Sequence, residues 1–269
     1  MSHACAELLA FALELARAAG QVILPLFRVA EAGTKADGTE VTEADRAAEA
    51  AMRRLIEQRF PDDAILGEEF GASGGWETGR CWVLDPIDGT ASFTLGLPLF
   101  GTLVALVEEG EPVVGVIHLP AMRETVYAAR GAGCWFRHGD ADPVRVRVAA
   151  PVPLAQAVVS ATAAHSSDIQ ALPGQTPYRL SELIRRARKF RFVGDCVQHA
   201  LVARGKLHAA VDTLMSPWDI AALVPCVEEA GGKLTTLGGE RRGLLTGGSL
   251  LSSSGSPLHE EVLDVLAPA

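Results

Sequence analysis

The chain has 269 residues, 48% hydrophobic and 21% charged, enough apolar surface to bury a real core and too little charge for global disorder. A formal net charge of −9, with no basic run or stripe, argues against a general nucleic-acid binder or an anionic-membrane binder. The five cysteines (Cys5, Cys81, Cys134, Cys196, Cys226) are scattered without a C-x-x-C pair, so reduced thiols in a cytoplasm are expected rather than a disulfide framework or a zinc site.

Apolar residues at helical spacing predict an amphipathic helix over 4–30, with Pro25 near its end. Glu7, Glu14 and Arg17 interrupt the apolar run and no basic leader precedes it, which speaks against both a signal peptide and a membrane span. After the polar loop EAGTKADGTEV, Thr42 opens a second helix that stops before Pro61, with Thr42 and Asp45 spaced as a capping box. AILGEEF then reads as a short strand into a turn, GGWETGR as a loop, and CWVLD as an apolar strand broken by PIDGT. LFGTLVALVEEGEPVVGVIHLP and RETVYAARGAGCWF continue as strands without helices between them, so the first half is α+β with an antiparallel sheet.

A boundary near residue 150 separates this half, 1–150, from a second, 151–269, as two halves of one compact unit. PVPLAQAVVSAT starts a strand, HSSDIQALPGQTPY a surface connection, and LSELIRRARKF an amphipathic helix. FVGDCVQHALVARGKLHAAVD gives a turn, a helix ending near Gly205 and a strand. SPWDIAALVPCVEEAGG is a capped helix stopped by a glycine pair, and KLTTLGG, LLTGGSLLSSSG and PLHEEVLDVL complete an alternating β/α half.

The sharpest chemistry lies in LDPIDGT, Leu84 to Thr90. A strand delivers Asp85, Pro86 breaks it, and a helical turn is expected to bring Asp88 onto the same face. Two carboxylates so close need a cation between them, while Gly89 and Thr90 offer backbone N–H groups to a phosphate. A plain turn rich in turn formers explains the same letters equally well when they are taken alone. Glu68 and Glu69, in LGEEF, sit at another strand end and are candidate ligands, although surface Glu pairs are common. Asp219 follows Ser216 as N-cap and Pro217 at N1, so capping alone accounts for it, as it does for Asp45.

GEE, then DPIDGT-x-SF, then WD with a helix ending in EEAGG, resemble in order and spacing the inositol monophosphatase family of lithium-sensitive, magnesium-dependent phosphatases. The similarity runs from the first helix to the last. It implies a layered αβαβα sandwich, antiparallel in its N-terminal sheet and mixed in its C-terminal sheet, usually a homodimer, which hydrolyses a small-molecule phosphate ester with two to three Mg2+ ions. By motif, Glu68, Asp85 and the Ile87 carbonyl would hold one metal, and Asp85, Asp88 and Asp219 a second. Glu69 and Lys35 match positions near a third metal and the phosphate, Asp45 a supporting carboxylate, and Gly89 and Thr90 the phosphate-binding turn. The Thr90 hydroxyl with Glu68 would orient the attacking water.

Within the family, PLFGTLVAL, GVIHLPAMRETVYAARGAGCW, RFVGDC and MSPWDIAALVPCVEEAGG most resemble histidinol-phosphate phosphatases. Asp195 in RFVGDC would pair with the cationic amine or imidazole of histidinol, unless it serves as the N-cap of the helix that follows. Asp212 matches a position that touches the organic part of the substrate. Ala91 and Val197-Gln198 depart from the commoner pattern and bear on substrate preference. An inositol monophosphatase or another small-phosphate phosphatase is the alternative, and a non-catalytic metal-binding protein a third.

Overall fold

The computed structural model describes residues 3–31, 33–34, 40–75, 78–171 and 177–268; Lys35 lies outside them. In chain order the elements are α1 (His3–Ile23), β1 (Gly33–Thr34), β2 (Glu40–Val41), α2 (Glu43–Arg59), β3 (Ala64–Gly67), β4 (Gly71–Ser73), β5 (Arg80–Asp88), α3 (Thr90–Thr94), β6 (Gly101–Glu108), β7 (Glu111–Leu119), β8 (Glu124–Ala129), β9 (Cys134–His138) and β10 (Val144–Val146). There follow β11 (Val158–Ala161), α4 (Leu180–Arg186), β12 (Lys189–Phe192), α5 (Asp195–Ala203), β13 (Ala209–Asp212), α6 (Pro217–Ala221), α7 (Leu223–Glu229), β14 (Lys233–Thr235), β15 (Leu250–Ser253) and α8 (Leu258–Leu266).

Two sheets organise the molecule. The first has eight strands in the order β10-β9-β8-β7-β6-β5-β3-β4, and the second five in the order β12-β11-β13-β15-β14. The first sheet is antiparallel except for β3 beside β5, whose parallel register puts Gly67 next to Leu84. In the second sheet β11 runs parallel to β12 and β13, and β15 runs antiparallel to β13 and β14, so that sheet is mixed.

Side-chain alternation on the strands assigns the layers. Val104, Leu106, Val114 and Val116 face α1 and α2, whose Ala12, Leu15, Ala19, Ala48 and Met52 pack on them. The opposite residues Leu103, Ala105 and Ile117 meet α5, α6 and α7 through Ala200, Ile220 and Val227. The second sheet covers those helices from the other side, and Leu180, Leu183, Leu258 and Val262 of α4 and α8 close its outer face. The resulting order is helix, sheet, helix, sheet, helix.

Together with the turn that follows it, α1 is long and apolar enough to cross a membrane. Its stripe Leu9, Ala12, Leu15, Ala16, Ala19 and Ile23 is instead buried in this core. It ends at Ile23 rather than near residue 30, because a 3-10 turn over Leu24–Leu26 takes up Pro25, which lacks an N–H donor. The stretch expected as a single helix after Ser216 is also divided, into α6 and α7 at Ala222. Pro225 explains the break, since it cannot donate to the carbonyl one turn earlier.

A carboxylate cluster and candidate metal centre

β5 lies between β3 and β6 in the first sheet and is buried along most of its length. Its end differs from the expected helical turn: Asp85 and Asp88 both belong to the strand. Asp85 stands opposite Leu103 and Asp88 opposite Gly101, so three steps on β5 match two on β6. In a regular strand, residues three apart face opposite sides. The extra residue of this bulge brings both carboxylates to the same side. Pro86, with no N–H for the ladder, is the sequence cause, and the Thr102 hydroxyl takes hold of its carbonyl at 2.8 Å.

Asp219 arrives from the start of α6. Its Oδ2 accepts from the Ser216 N–H at 2.6 Å, the reciprocal bond of a capping box. One carboxylate oxygen each from Asp85, Asp88 and Asp219 lies within 4.8 Å of the others. Asp85 is 1% exposed, and its Oδ1 has no hydrogen-bond partner among the described residues. Burial, then the charges of Glu68, Asp88 and Asp219, push the Asp85 carboxyl well above the usual range. Burial, then Asp195 and Asp219, do the same to Asp88. Asp219 is pushed up to about 6, by burial first and by Glu68 among its neighbours. Glu68, whose N–H bonds the Leu84 carbonyl at 3.2 Å, therefore belongs to the same electrostatic cluster.

Oxygen-only donors, mutual repulsion and an unpaired buried carboxylate oxygen are what a hard divalent cation relieves. The donor set fits metal-dependent catalysis.

Around this centre the turn Gly89–Thr90 is tightly enclosed. Gly89 has φ +91°, and a Cβ placed there would lie 2.9 Å from both Asp195 Oδ2 and the Leu99 carbonyl oxygen, so only glycine fits. The Thr90 hydroxyl lies 3.0 Å from the Ile87 carbonyl and 3.5 Å from Asp45 Oδ1. Asp45 thus does more than cap α2. Its Oδ2 accepts from the Thr42 N–H and hydroxyl, both at 2.7 Å, while Oδ1 faces the Gly89–Thr90 turn.

Glu49, one turn further along α2, was not singled out by sequence reasoning. It is fully buried and accepts from the N–H groups of Glu69 (2.7 Å) and Phe70 (3.2 Å) and from Arg53 (2.8 Å). It thereby fixes the turn that presents Glu68 and Glu69. Its spacing from Asp45, Ala48, Met52 and Ile56 on the buried stripe of α2 was the available signal.

On the far side Asp195 opens α5 with φ +49°, the N-cap position belonging to Gly194. The Cys196 N–H donates to Asp88 Oδ2, which joins the start of α5 to the carboxylate cluster. Asp195 is pushed up to about 7 by burial and then by Asp212 and Asp219. Asp212 is held by Gln198 Nε2 at 2.6 Å and His199 Nε2 at 2.7 Å, and His199 Nδ1 pairs with Ser252 at 2.7 Å. Gln198 also donates to the Thr162 hydroxyl at 2.9 Å, and that hydroxyl accepts from the Asp195 N–H. Gln198 and His199, unremarkable as letters, tie the two acidic residues into one network.

Known proteins resemble this chain over most of its length. A histidinol-phosphatase from Chlorobaculum parvum is 41% identical over 248 residues, 91% of this chain and 92% of its own. One from Mycobacterium tuberculosis is 41% identical over 86% of this chain and 85% of its own. The solved structure of an IMPase from Thermotoga maritima superposes with a TM-score of 0.84 at 32% identity, covering 97% of this chain and 96% of that one. The sequence profile of the inositol monophosphatase family matches residues 5–267, and the chain belongs to that family of phosphoric monoester hydrolases.

Proposed function

We propose that this chain releases inorganic phosphate from L-histidinol phosphate by direct in-line attack of water, using two to three Mg2+ ions. The observation that carries the substrate is the second acidic group beside the metal cluster. Asp195 lies against the Gly89 turn with Asp212 and Asp219 among the charges that act on it. A carboxyl held up to about 7 by burial first, and then by the charges of Asp212 and Asp219, gains from a cationic ligand, whose charge favours the ionised form that both effects oppose. Histidinol brings an amine and an imidazole to such a place, whereas inositol brings only hydroxyls. The histidinol-phosphatase relatives, each 41% identical, support the same reading.

Glu68, Asp85 and the Ile87 carbonyl would hold one Mg2+, and Asp85, Asp88 and Asp219 the next, with Glu69 and Lys35 near a third. Bound there, the cations supply a water deprotonated near neutral pH and neutralise charge building on the phosphoryl oxygens. The Thr90 hydroxyl, 3.0 Å from the Ile87 carbonyl and 3.5 Å from Asp45 Oδ1, would orient the attacking water together with Glu68. The Gly89 and Thr90 N–H groups receive the phosphoryl oxygens, and Asp195 and Asp212 orient the leaving group.

The five free cysteines support a reducing, cytoplasmic setting. Val29, Leu95 and Leu97, exposed and linked through the Arg28 bond to the Gly96 carbonyl, support a homodimer, which light scattering at the mass of one chain would exclude. The deciding experiment measures phosphate release from histidinol phosphate and from inositol 1-phosphate under Mg2+. A clear preference for histidinol phosphate is expected. A preference for inositol phosphate overturns the substrate and leaves the reaction class standing.

A further inference from the structure

Away from the carboxylate cluster, a cleft of about 280 Å³ opens between α1 and the adjoining ends of β7, β8 and β9. Its size suits a small metabolite. The register places His118 opposite Thr125, and Thr125 opposite Arg137, in one row across the sheet on the face that meets α1. Arg17 closes the cleft from α1 and Arg123 from the turn before β8.

The charge of this cleft is opposite to that of the molecule, which carries −9 overall. The Arg137 side chain makes no hydrogen bond or ion pair with another described residue. Arg17 donates only to the Leu13 carbonyl, at 3.4 Å. Arg123 meets Asp140 at 3.3 Å, a pair in which both side chains are largely exposed and which neutralises little. His118 reports the positive field directly: burial, then Arg137 and Arg17, hold its ring down to about 4, so it stays neutral and bonds the Thr125 hydroxyl at 2.9 Å.

The backbone is also shaped for the cleft. A Cβ at Gly20 would lie 3.0 Å from His118 Nε2, so a glycine inside α1, a poorer helix former than alanine, lets the helix approach the row. Arg123 holds φ +56°, a left-handed conformation that residues bearing a side chain seldom adopt.

We propose that this cleft is a second binding site, for a small phosphorylated metabolite whose phosphate is received by Arg17, Arg123 and Arg137. Guanidinium groups recognise phosphate in a fork that lysines do not reproduce, and here three converge from separate elements. The site needs no metal, in contrast to the carboxylate cluster, which repels an anion unless cations are bound.

That contrast provides the test. Isothermal titration of the full chain in EDTA uses ribose 5-phosphate as the probe and ribose as the neutral control. Ribose 5-phosphate is expected to bind, more weakly as salt is raised, and ribose not at all. Arg17→Ala and Arg137→Ala are each expected to weaken binding by about tenfold, the worth of one charge-assisted bond, and Asp88→Asn to leave it unchanged. Arg17 is exposed, so its removal leaves the fold intact. Absence of binding at about 10 mM probe, wild-type affinity in both arginine variants, or loss of binding in Asp88→Asn each overturns the proposal.

Discussion

At the scale of single residues, chemistry concentrates where the backbone is least ordinary. Asp195 occupies a left-handed conformation, Gly89 one that only glycine tolerates, and the two touch. The consequence for substrate choice is testable in Asp195→Asn, which keeps the shape and removes the charge. With histidinol phosphate, kcat/KM is expected to fall by about tenfold to a hundredfold, the worth of a hydrogen bond to a charged group. With inositol 1-phosphate the change is expected to be small or favourable. Equal losses on both esters would assign Asp195 to the fold of the loop instead of to recognition. The letters D-P-I-D-G-T pointed to metal and phosphate chemistry and to a plain turn alike, and it was the resemblance over the whole chain that favoured the first. Glu49 was not legible, because its role depends on the 67–70 turn folding back over α2, a tertiary contact no local pattern encodes.

At the scale of elements, α2 acts as the scaffold of the site's outer wall. Its first turn presents Asp45 to Thr90, and its second uses Glu49 to bind the N–H groups of Glu69 and Phe70. Glu49→Ala leaves those donors and Arg53 without their acceptor. It is expected to destabilise the fold by about 3 kcal/mol and to weaken Mg2+ binding through misplacement of Glu68. A urea midpoint and a Mg2+ titration measured together check it; unchanged metal affinity would confine Glu49 to stability. Most elements followed from periodicity, yet two details did not. The pair Asp85/Asp88 is aligned by a β-bulge where a helical turn was expected, since i,i+3 spacing on one face suits a helix and a bulged strand alike. The helix after Ser216 breaks at Ala222 because Pro225 outweighs the otherwise continuous apolar pattern.

At the scale of the whole molecule, charge repulsion in the centre sets how stability responds to pH. Asp219 and Asp195 are raised to about 6 and about 7, and Asp85 and Asp88 are also raised well above the carboxylate value of 3.8. A carboxyl raised in the folded state favours folding fully below its unfolded pKa, and that contribution is lost as pH rises through the folded value. His118 and His259, held down to about 4, act the other way: stability is lost as pH falls from 6.5 toward about 4. From about one unit above 6.5 both histidines are largely neutral folded or unfolded, which leaves the carboxylates dominant. Between that point and about pH 8 the melting temperature in EDTA is expected to fall, and the increase on adding Mg2+ to grow. A melting temperature flat across this window, with a metal effect independent of pH, would contradict the electrostatic picture.

The most direct measurement follows phosphate release from histidinol phosphate as Mg2+ is titrated into EDTA-treated protein, with Asp88→Asn alongside. Release is expected to rise from background to a plateau in the wild type and to remain at background in the variant, which keeps its fold. Full turnover without a divalent cation, or undiminished turnover in Asp88→Asn, would contradict a mechanism built on metal held by these carboxylates.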